Sequence, residues 1–247
     1  QNFAALWGAE TLADGSYNVS GVVAVIAAIG LGRLIAFPVA GPLSDKLGRR
    51  LSALIGCVLY AIFLLSVTFT TNMYVCYVLA IISGMANSFL DTSITPSCME
   101  IFKEKGTIAN MFTKLSISIA QFLLPFAISF VAVNNLPFNT IFIATAAIII
   151  IDGIFLAFLP FPPMEHAPAK KGEKIKKEKM KFTPSAIILI CLGFTTSTTF
   201  MLWMNCNQEL GSLYGLADPS KIQSVYSVGI VCALFVNAAL MARGLKP

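Results

Sequence analysis

Four ionisable residues stand inside long apolar stretches of the sequence, where charge is costly. They are Arg33, Asp91, Lys114 and Asp152. A charged side chain at the centre of a membrane-spanning helix costs about 2.5–3.5 kcal/mol on insertion scales, so each group needs a partner or a role. A carboxylate in such a place can bind and release a proton, and a guanidinium or ammonium group can stabilise its ionised form or bind an anion.

The four charges lie at one predicted depth, because each is eight or nine residues from a loop on the same predicted side, roughly 12–14 Å along a helix. Two positive and two negative charges at one level predict a layer of ion pairs, with Arg33 and Asp91 as its first couple. Asp91 is the leading candidate for proton coupling or substrate contact. The alternative is a buried pair that only fixes packing, which is the stronger interpretation for Asp152. Lys114 can instead extend to the cytoplasmic surface.

Further polar candidates share predicted helix faces with these charges. One stripe, which we expect to face a watery environment, consists of Ser83, Asn87, Asp91 and Thr95. A second face carries Lys114, Ser118, Gln121 and Pro125. Small residues also recur every fourth position, which predicts close helix contact, in two rows: Ala24, Ala28, Gly32, Ala36 and Ala40, and Ala80, Gly84, Ser88 and Thr92.

A third polar group follows five consecutive hydroxyl residues at 195–199. It consists of Trp203, Asn205, Asn207 and Gln208. The hydroxyls can bond back to their own helix, so they indicate little by themselves. Amides beside a Trp at an outer mouth suit a hydrophilic solute. Interfacial residues at a helix end have the same composition, so both interpretations stay open.

The elements that must position these groups are long apolar segments. Hydrophobic residues make up 57% of the 247 residues, charged residues 12%, and the mean hydropathy is +0.80. Soluble domains carry about 25% charged residues, and about 20 helical residues cross a bilayer. The segments lack the period-two alternation of a barrel. We therefore predict an all-α integral membrane protein with helices at roughly 20–40, 51–70, 73–97, 107–133, 138–159, 184–204 and 221–242.

The distribution of positive charge orients these helices. Fourteen of the 17 Lys and Arg residues fall in the loops at 41–50, 98–106 and 160–183 and in 243–247. The positive-inside rule places those loops in the cytoplasm. The basic patches are thereby accounted for, and a nucleic-acid partner is not needed to explain the net charge of +5.

Several chemistries lack the residues that they require. The six cysteines have no CxxC spacing and the single histidine is His166, so we expect no metal site and no cofactor. The phosphate-binding pattern GxxxxGK[ST] does not occur, so we expect no ATP hydrolysis by this chain. The interpretation is that the protein is not an enzyme.

The predicted loop between the first two segments carries a motif of six defined positions. These are Gly41, Asp45, Lys46, Gly48, Arg49 and Arg50. The motif resembles the major facilitator superfamily signature G-x-x-x-D-[RK]-x-G-[RK]-[RK], which implies two six-helix bundles and a gating loop between helices 2 and 3 on the cytoplasmic side. We expect Gly41 and Gly48 in a tight turn. We also expect Asp45 to bridge helix ends with Arg49 and Arg50.

The resemblance also implies a helix numbering. The seven segments become helices 2 to 8 of the family, residues 1–8 the end of helix 1, and both chain ends truncations. The implied domains are 1–160 as the first helical half, 161–183 as a cytoplasmic linker and 184–247 as the start of the second half. Helices 4, 5 and 7 of the family line its central cavity. The family's helix 4 Arg ahead of a Gly is absent before Gly84, which disfavours the drug-exporter branches.

The function predicted from these features is secondary active transport of a small polar solute by alternating access. A sugar, an aromatic acid or another organic acid fits, and Arg33 and Lys114 favour an anion. Proton symport is the expected coupling because Asp91 is the best titratable group in the membrane. The expected partners are the solute, protons and the lipid bilayer of the cytoplasmic membrane, with the chain as a monomer. The alternatives are a proton-driven multidrug exporter and a seven-helix receptor or sensor.

Overall fold

Seven long helices make up nearly all of the described structure, a computed structural model that covers Trp7, Thr11 and residues 20–102, 106–161, 183–216 and 221–242. The helices are α1 Ser20–Leu47, α2 Arg49–Phe69, α3 Met73–Ile101, α4 Gly106–Val133, α5 Asn139–Phe158, α6 Pro184–Leu213 and α7 Lys221–Ala242. Each is long and apolar enough to cross a membrane. The predicted all-α membrane architecture is confirmed. The predicted helix end at 1–8, apart from Trp7, and the predicted linker at 161–183, apart from Phe161 and Thr183, lie outside the described residues.

The predicted loop at 41–50 is wrong in its extent. Helix α1 continues through Gly41 and Pro42 to Leu47, and α2 begins at Arg49. Only Gly48 lies between the two helices, with φ 95° and ψ 148°, a backbone conformation that favours glycine. Gly41 is therefore helical and forms no turn. The helix persists through its glycine and proline because its buried face continues across them, from Ala40 to Ser44, both fully buried.

The first of two compact units contains residues 1–110 and 130–168, and therefore α1, α2, α3 and α5. Helix α1 packs against α3, and α2 packs against both α3 and α5. Part of its core is a cluster of buried apolar side chains: Trp7, Val25, Ala28, Val67, Cys76 and Ala80. This unit holds together by helix pairs whose contact faces are small and tightly apposed.

The α1–α3 interface consists of the predicted small residues. Ala28, Gly32, Ala36 and Ala40 are buried on α1, while Ala24 is exposed, so the row begins one turn later than predicted. A Cβ atom on Gly32 would collide with the carbonyl oxygen of Ile81, and one on Gly84 with that of Ile29. Close backbone approach through small residues is how helices associate where lipid supplies no hydrophobic drive.

The second compact unit contains residues 111–129 and 169–247, which include the middle of α4 together with α6 and α7. Helix α6 packs against α7. The Ser224 hydroxyl of α7 donates to the carbonyl of Phe122 on α4, at 3.2 Å. The two compact units are defined by packing, and the boundary between them divides α4. The predicted halves follow chain order instead, and the two six-helix bundles remain a proposal.

The outer faces of the helices are apolar. Large hydrophobic side chains stand exposed on α1, α5 and α6, such as Leu34 at 73%, Phe155 at 63% and Ile188 at 66%. In water such surfaces would mark association sites, but on helices of spanning length they are the surface that hydrocarbon chains contact. The surface therefore agrees with a multi-pass membrane protein.

Candidate functional site

The predicted couple in the first unit is present as an ion pair. Arg33 Nη2 of α1 donates to Asp91 Oδ2 of α3 at 2.6 Å, and the two side chains remain 41% and 49% exposed. Gly32, the residue before Arg33, packs against the backbone of α3, and this close approach of the two backbones brings the two charges together. The carboxylate is thus partnered and still reachable by a small molecule or a proton.

The other two predicted charges do not join an ion pair among the described residues. Lys114 on α4 and Asp152 on α5 are both exposed. Of the predicted four-charge layer, the described structure contains only the Arg33–Asp91 couple. Because Arg33 is neutralised by Asp91, it does not offer a free cation to an anionic solute, and half of the sequence argument for an anion is removed.

The polar stripe of α3 is divided among different surroundings. Ser83 is buried, at 1% exposure. The Asn87 amide donates to the Tyr60 hydroxyl of α2 at 3.1 Å. Only Asp91 of the stripe is exposed, while Thr95 is half-buried. The expectation that the whole stripe faces water is therefore wrong, because Ser83 and Asn87 pack within the first unit.

The signature residues form a charged cluster where three helix ends meet. Arg49, the first residue of α2, pairs with Asp45 near the end of α1 at 2.7 Å and with Glu100 near the end of α3 at 3.4 Å. Arg49 and Glu100 are nearly buried, at 13% and 11% side-chain exposure, whereas Asp45 is 61% exposed. The predicted Asp45–Arg49 bridge between helix ends is present, and it includes Glu100, which the sequence analysis did not single out. The expected pair of Asp45 with Arg50 is not among the ion pairs of the described residues.

A proline explains why Arg49 reaches this position. Pro96 lies four residues after Thr92 in α3 and has no N–H, so the Thr92 carbonyl has no partner within its helix. Arg49 Nη1 donates to that carbonyl at 3.4 Å and Ser44 Oγ donates to it at 3.2 Å. The Thr-x-x-x-Pro spacing was the available sequence signal for this contact.

Arg50 makes a different connection from its neighbour. Its Nη2 atom donates to the carbonyl of Leu159 at 2.5 Å, and its guanidinium lies 5.9 Å from the ring centre of Phe161. Leu159 is the C-cap of α5 and precedes Pro160, so the helix ends there with unpaired carbonyls. Arg50 therefore caps α5 from the start of α2.

We expect Arg50→Ala to lower the stability of the protein by about 0.5–1.5 kcal/mol, the net value of one hydrogen bond, because it removes the donor to Leu159. Thermal unfolding in detergent measures this change. Lys46→Ala is the matched control, since it removes the same charge from an exposed side chain of the same motif. Equal losses in the two variants would show that net charge, and not the α5 cap, determines the effect.

A cleft of about 600 Å³ lies in the second unit, along α6 and α7. It is lined by Thr195, Thr196, Thr199, Phe200, Trp203 and Tyr226. The Tyr226 ring lies 6.1 Å from the Trp203 ring and 6.2 Å from the Phe200 ring, measured between centroids. The structure thus places the predicted Trp203 in a cleft, together with the Thr run and with a Tyr from the next helix.

A buried amide pair lies one helical turn from this cleft. Asn207, 2% exposed, donates through Nδ2 to Oε1 of Gln223 on α7 at 3.2 Å. The Nε2 atom of Gln223 and the Oε1 atom of Gln121 on α4 are buried without a hydrogen-bond partner among the described residues. The side chains of Asn205 and Gln208 lie outside the described part of the chain.

Sequence reasoning missed Gln223 and Tyr226. Both lie in the first two turns of α7, where a polar or aromatic residue is typical of a membrane interface. Their positions three residues apart, which place them on one helix face, were the available signal.

Comparisons with known proteins identify a family and relatives of this chain. The profile described as "Major Facilitator Superfamily" matches residues 2–246. The "Inner membrane transport protein YdiM" of Escherichia coli is 33% identical over 238 residues, which are 93% of this chain and 58% of that protein. The "Uncharacterized MFS-type transporter YfkL" of Bacillus subtilis is 30% identical over 236 residues, 92% and 59% of the two chains.

The chain therefore spans rather more than half the length of these curated relatives. No solved structure gives a significant match. A profile that matches almost the whole chain, seven spanning helices and the six signature residues lead to one conclusion: the chain belongs to the Major Facilitator Superfamily of membrane transporters.

Proposed function

We propose that the intact protein is a secondary active transporter of the cytoplasmic membrane that moves a small polar solute by alternating access, in symport with protons. The solute class comprises sugars, aromatic acids and other organic acids. The protein acts as a carrier without chemical conversion of its solute, and as a monomer. The single observation that carries the coupling proposal is the half-exposed Arg33–Asp91 ion pair within two spanning helices.

The pair fits proton coupling because of where it is placed. Two charges facing hydrocarbon would be costly, so their exposed sides belong in a water-filled cavity or against other protein. Asp91 binds a proton only by giving up its ionic bond at 2.6 Å to Arg33. Arg33 adjoins Gly32 in the α1–α3 interface. Protonation of Asp91 therefore removes an ionic attraction beside the close contact of these two helices.

The signature cluster suits a gate at the cytoplasmic side. Arg49 holds the ends of α1, α2 and α3 through Asp45 and Glu100. Alternating access requires contacts that form in one state and break in the other. Ionic contacts at helix ends can do so, because water replaces part of each bond when they open.

The test of coupling uses the full-length protein in proteoliposomes that enclose a pH-sensitive dye. We expect a transported solute from panels of sugars, aromatic acids and organic acids to drive proton influx. Asp91→Asn should abolish that influx and leave solute counterflow measurable, since exchange of solute alone does not require net proton transfer. Asp152→Asn is the matched control, because Asp152 is an exposed spanning carboxylate without a described ion pair.

Arg33 provides the second arm of this test. Asp91→Asn alone leaves Arg33 unpaired, so loss of influx could reflect damage to packing. Arg33→Gln combined with Asp91→Asn removes both charges, and we expect it to restore protein yield but not proton influx. Full influx in Asp91→Asn, or influx restored in the double variant, would remove Asp91 from the coupling path.

A further inference from the structure

We infer that the α6–α7 cleft binds the ring of an uncharged, hydroxyl-bearing solute, such as a monosaccharide or a cyclitol. This assignment rests on the proposed transport function and narrows its solute class. It depends on three features of the second unit: the hydrogen-bonding state of the threonines, the arrangement of three aromatic rings and the charge of the lining residues.

The threonines of the cleft present acceptors. The Thr195 hydroxyl donates to the carbonyls of Cys191 and Leu192, that of Thr196 to Leu192 and that of Thr199 to Thr195, at distances of 2.8–3.1 Å. Each hydroxyl proton is thus committed to the backbone of α6. The oxygen atoms keep free lone pairs, so this wall accepts hydrogen bonds, and a solute that contacts it must donate them.

The aromatic side of the cleft fits a ring. Tyr226 of α7 lies between Phe200 and Trp203 of α6, with interplanar angles of 41° and 42°. Tilted rings about 6 Å apart leave apolar faces that stack on a planar ring or on the C–H face of a hydroxylated ring. Trp203 is 38% exposed, so its indole is available to a solute in the cleft.

The position of Tyr226 is fixed by the neighbouring amides. Gln223 precedes Tyr226 by three residues and Asn207 follows Trp203 by four, so their hydrogen bond joins α6 to α7 one turn from the aromatic rings. Being buried, that bond exchanges little with water and keeps the two helices at a fixed spacing. Gln223 is therefore a positioning residue for Tyr226.

Among the described residues, none of those that line the cleft is charged. A carboxylate solute would need an Arg or Lys, and an ammonium solute would be held best by a carboxylate together with the aromatic faces. The lining supplies neither, while Lys114 and Lys221 elsewhere in this unit are not among the cleft residues. A neutral polyol, which donates through its hydroxyls and stacks through its carbons, satisfies the acceptor wall and the rings together.

The test measures binding to the purified full-length protein by calorimetry, independently of any ion gradient. The probes are hexoses, pentoses and inositols, with glucuronate and glucosamine as charged counterparts of glucose. We expect at least one neutral ring to bind and its charged counterpart to bind at least tenfold more weakly. Thr199→Lys, which places a cation at the acceptor wall, should shift the preference toward glucuronate.

Side-chain variants locate the binding site. Trp203→Ala should weaken binding of the neutral ring at least tenfold, and Trp203→Phe by less because a ring remains. Phe194→Ala is the matched control, since Phe194 lies on α6 outside the cleft and is 72% exposed. For Gln223→Leu we expect weaker binding only while Tyr226 is present, and no further loss in the Tyr226→Ala background.

Three results would overturn the assignment: binding of none of the neutral rings, tighter binding of glucuronate than of glucose, or unchanged affinity in Trp203→Ala. Proton influx driven by an organic acid, without any neutral binding, would overturn this inference and leave the proposed function standing. Neutral-ring binding without flux or counterflow in vesicles would contradict the proposed transport and support the site.

Discussion

Gly84→Leu is expected to abolish the folded protein. A Cβ atom at position 84 would collide with the carbonyl oxygen of Ile29 and lie 2.9 Å from the Cα atom of Gly32. These obstacles are backbone atoms of α1, so no side-chain rotation can relieve them. Overpacking typically costs about 1–3 kcal/mol, and separation of two spanning helices along their whole contact adds the loss of the α1–α3 interface to that cost.

The measurement is the yield of monodisperse protein by size-exclusion chromatography of a fluorescent fusion. Even Gly84→Ala should lower the yield, because its methyl group already occupies the collision site. Gly56→Ala should be milder, since the nearest obstacle there is the flexible Leu90 side chain at 2.7 Å. Gly30→Leu is the control on α1, where nothing lies within 4 Å. A normal yield for Gly84→Leu would mean that α1 and α3 are farther apart than this structure has them.

Features that follow from one-dimensional patterns were predictable. Length and hydropathy gave the seven spans, and a repeat of small residues every fourth position gave the α1–α3 interface around Gly32 and Gly84. The Arg33–Asp91 couple followed from opposite charge at equal depth. Each of these inferences uses a property of helices in lipid that holds regardless of how the helices are arranged.

Features that depend on tertiary arrangement were not predictable in the same way. Gly41 and Pro42 normally indicate the end of a helix, yet packing of Ser44 against α3 extends α1 past them. Arg50 contacts Leu159, a residue 109 positions away, through a cap whose need becomes visible only when the end of α5 is known. Tyr226 could be assigned to the cleft, and Gln223 to the amide pair one turn away from it, only after α7 was placed beside α6.

Glu100 is a residue whose importance the sequence pattern did not indicate. It lies at the end of α3, where an acidic residue is unremarkable, and its importance comes from its burial beside Arg49 at 11% exposure. Two atoms of this contact, Arg49 Nε and Glu100 Oε2, are buried and have no hydrogen-bond partner among the described residues. An ion pair with such incomplete hydrogen bonding is costly to form and still more costly to break on one side.

Arg49→Met is accordingly expected to destabilise the protein by about 3–5 kcal/mol, because it leaves Glu100 charged, buried and without its partner. Arg49→Met combined with Glu100→Met removes both charges and should recover more than half of that loss. Asp45→Asn should cost no more than about 1 kcal/mol, since Asp45 is 61% exposed and its bond to Arg49 competes with water.

A double-mutant cycle measured by chemical unfolding in detergent separates these terms. A positive coupling between positions 49 and 100 that exceeds the coupling between positions 45 and 49 is the expected result. Losses that simply add in the double variant would show that Arg49 acts through the Thr92 carbonyl and Ser44 instead of through Glu100. Transport assays on the Arg49→Met, Glu100→Met double variant then test the gate itself. If the charged cluster only stabilises the fold, this variant will transport solute at the normal rate. If the gate depends on charges that separate, the transport rate will stay low after stability is restored.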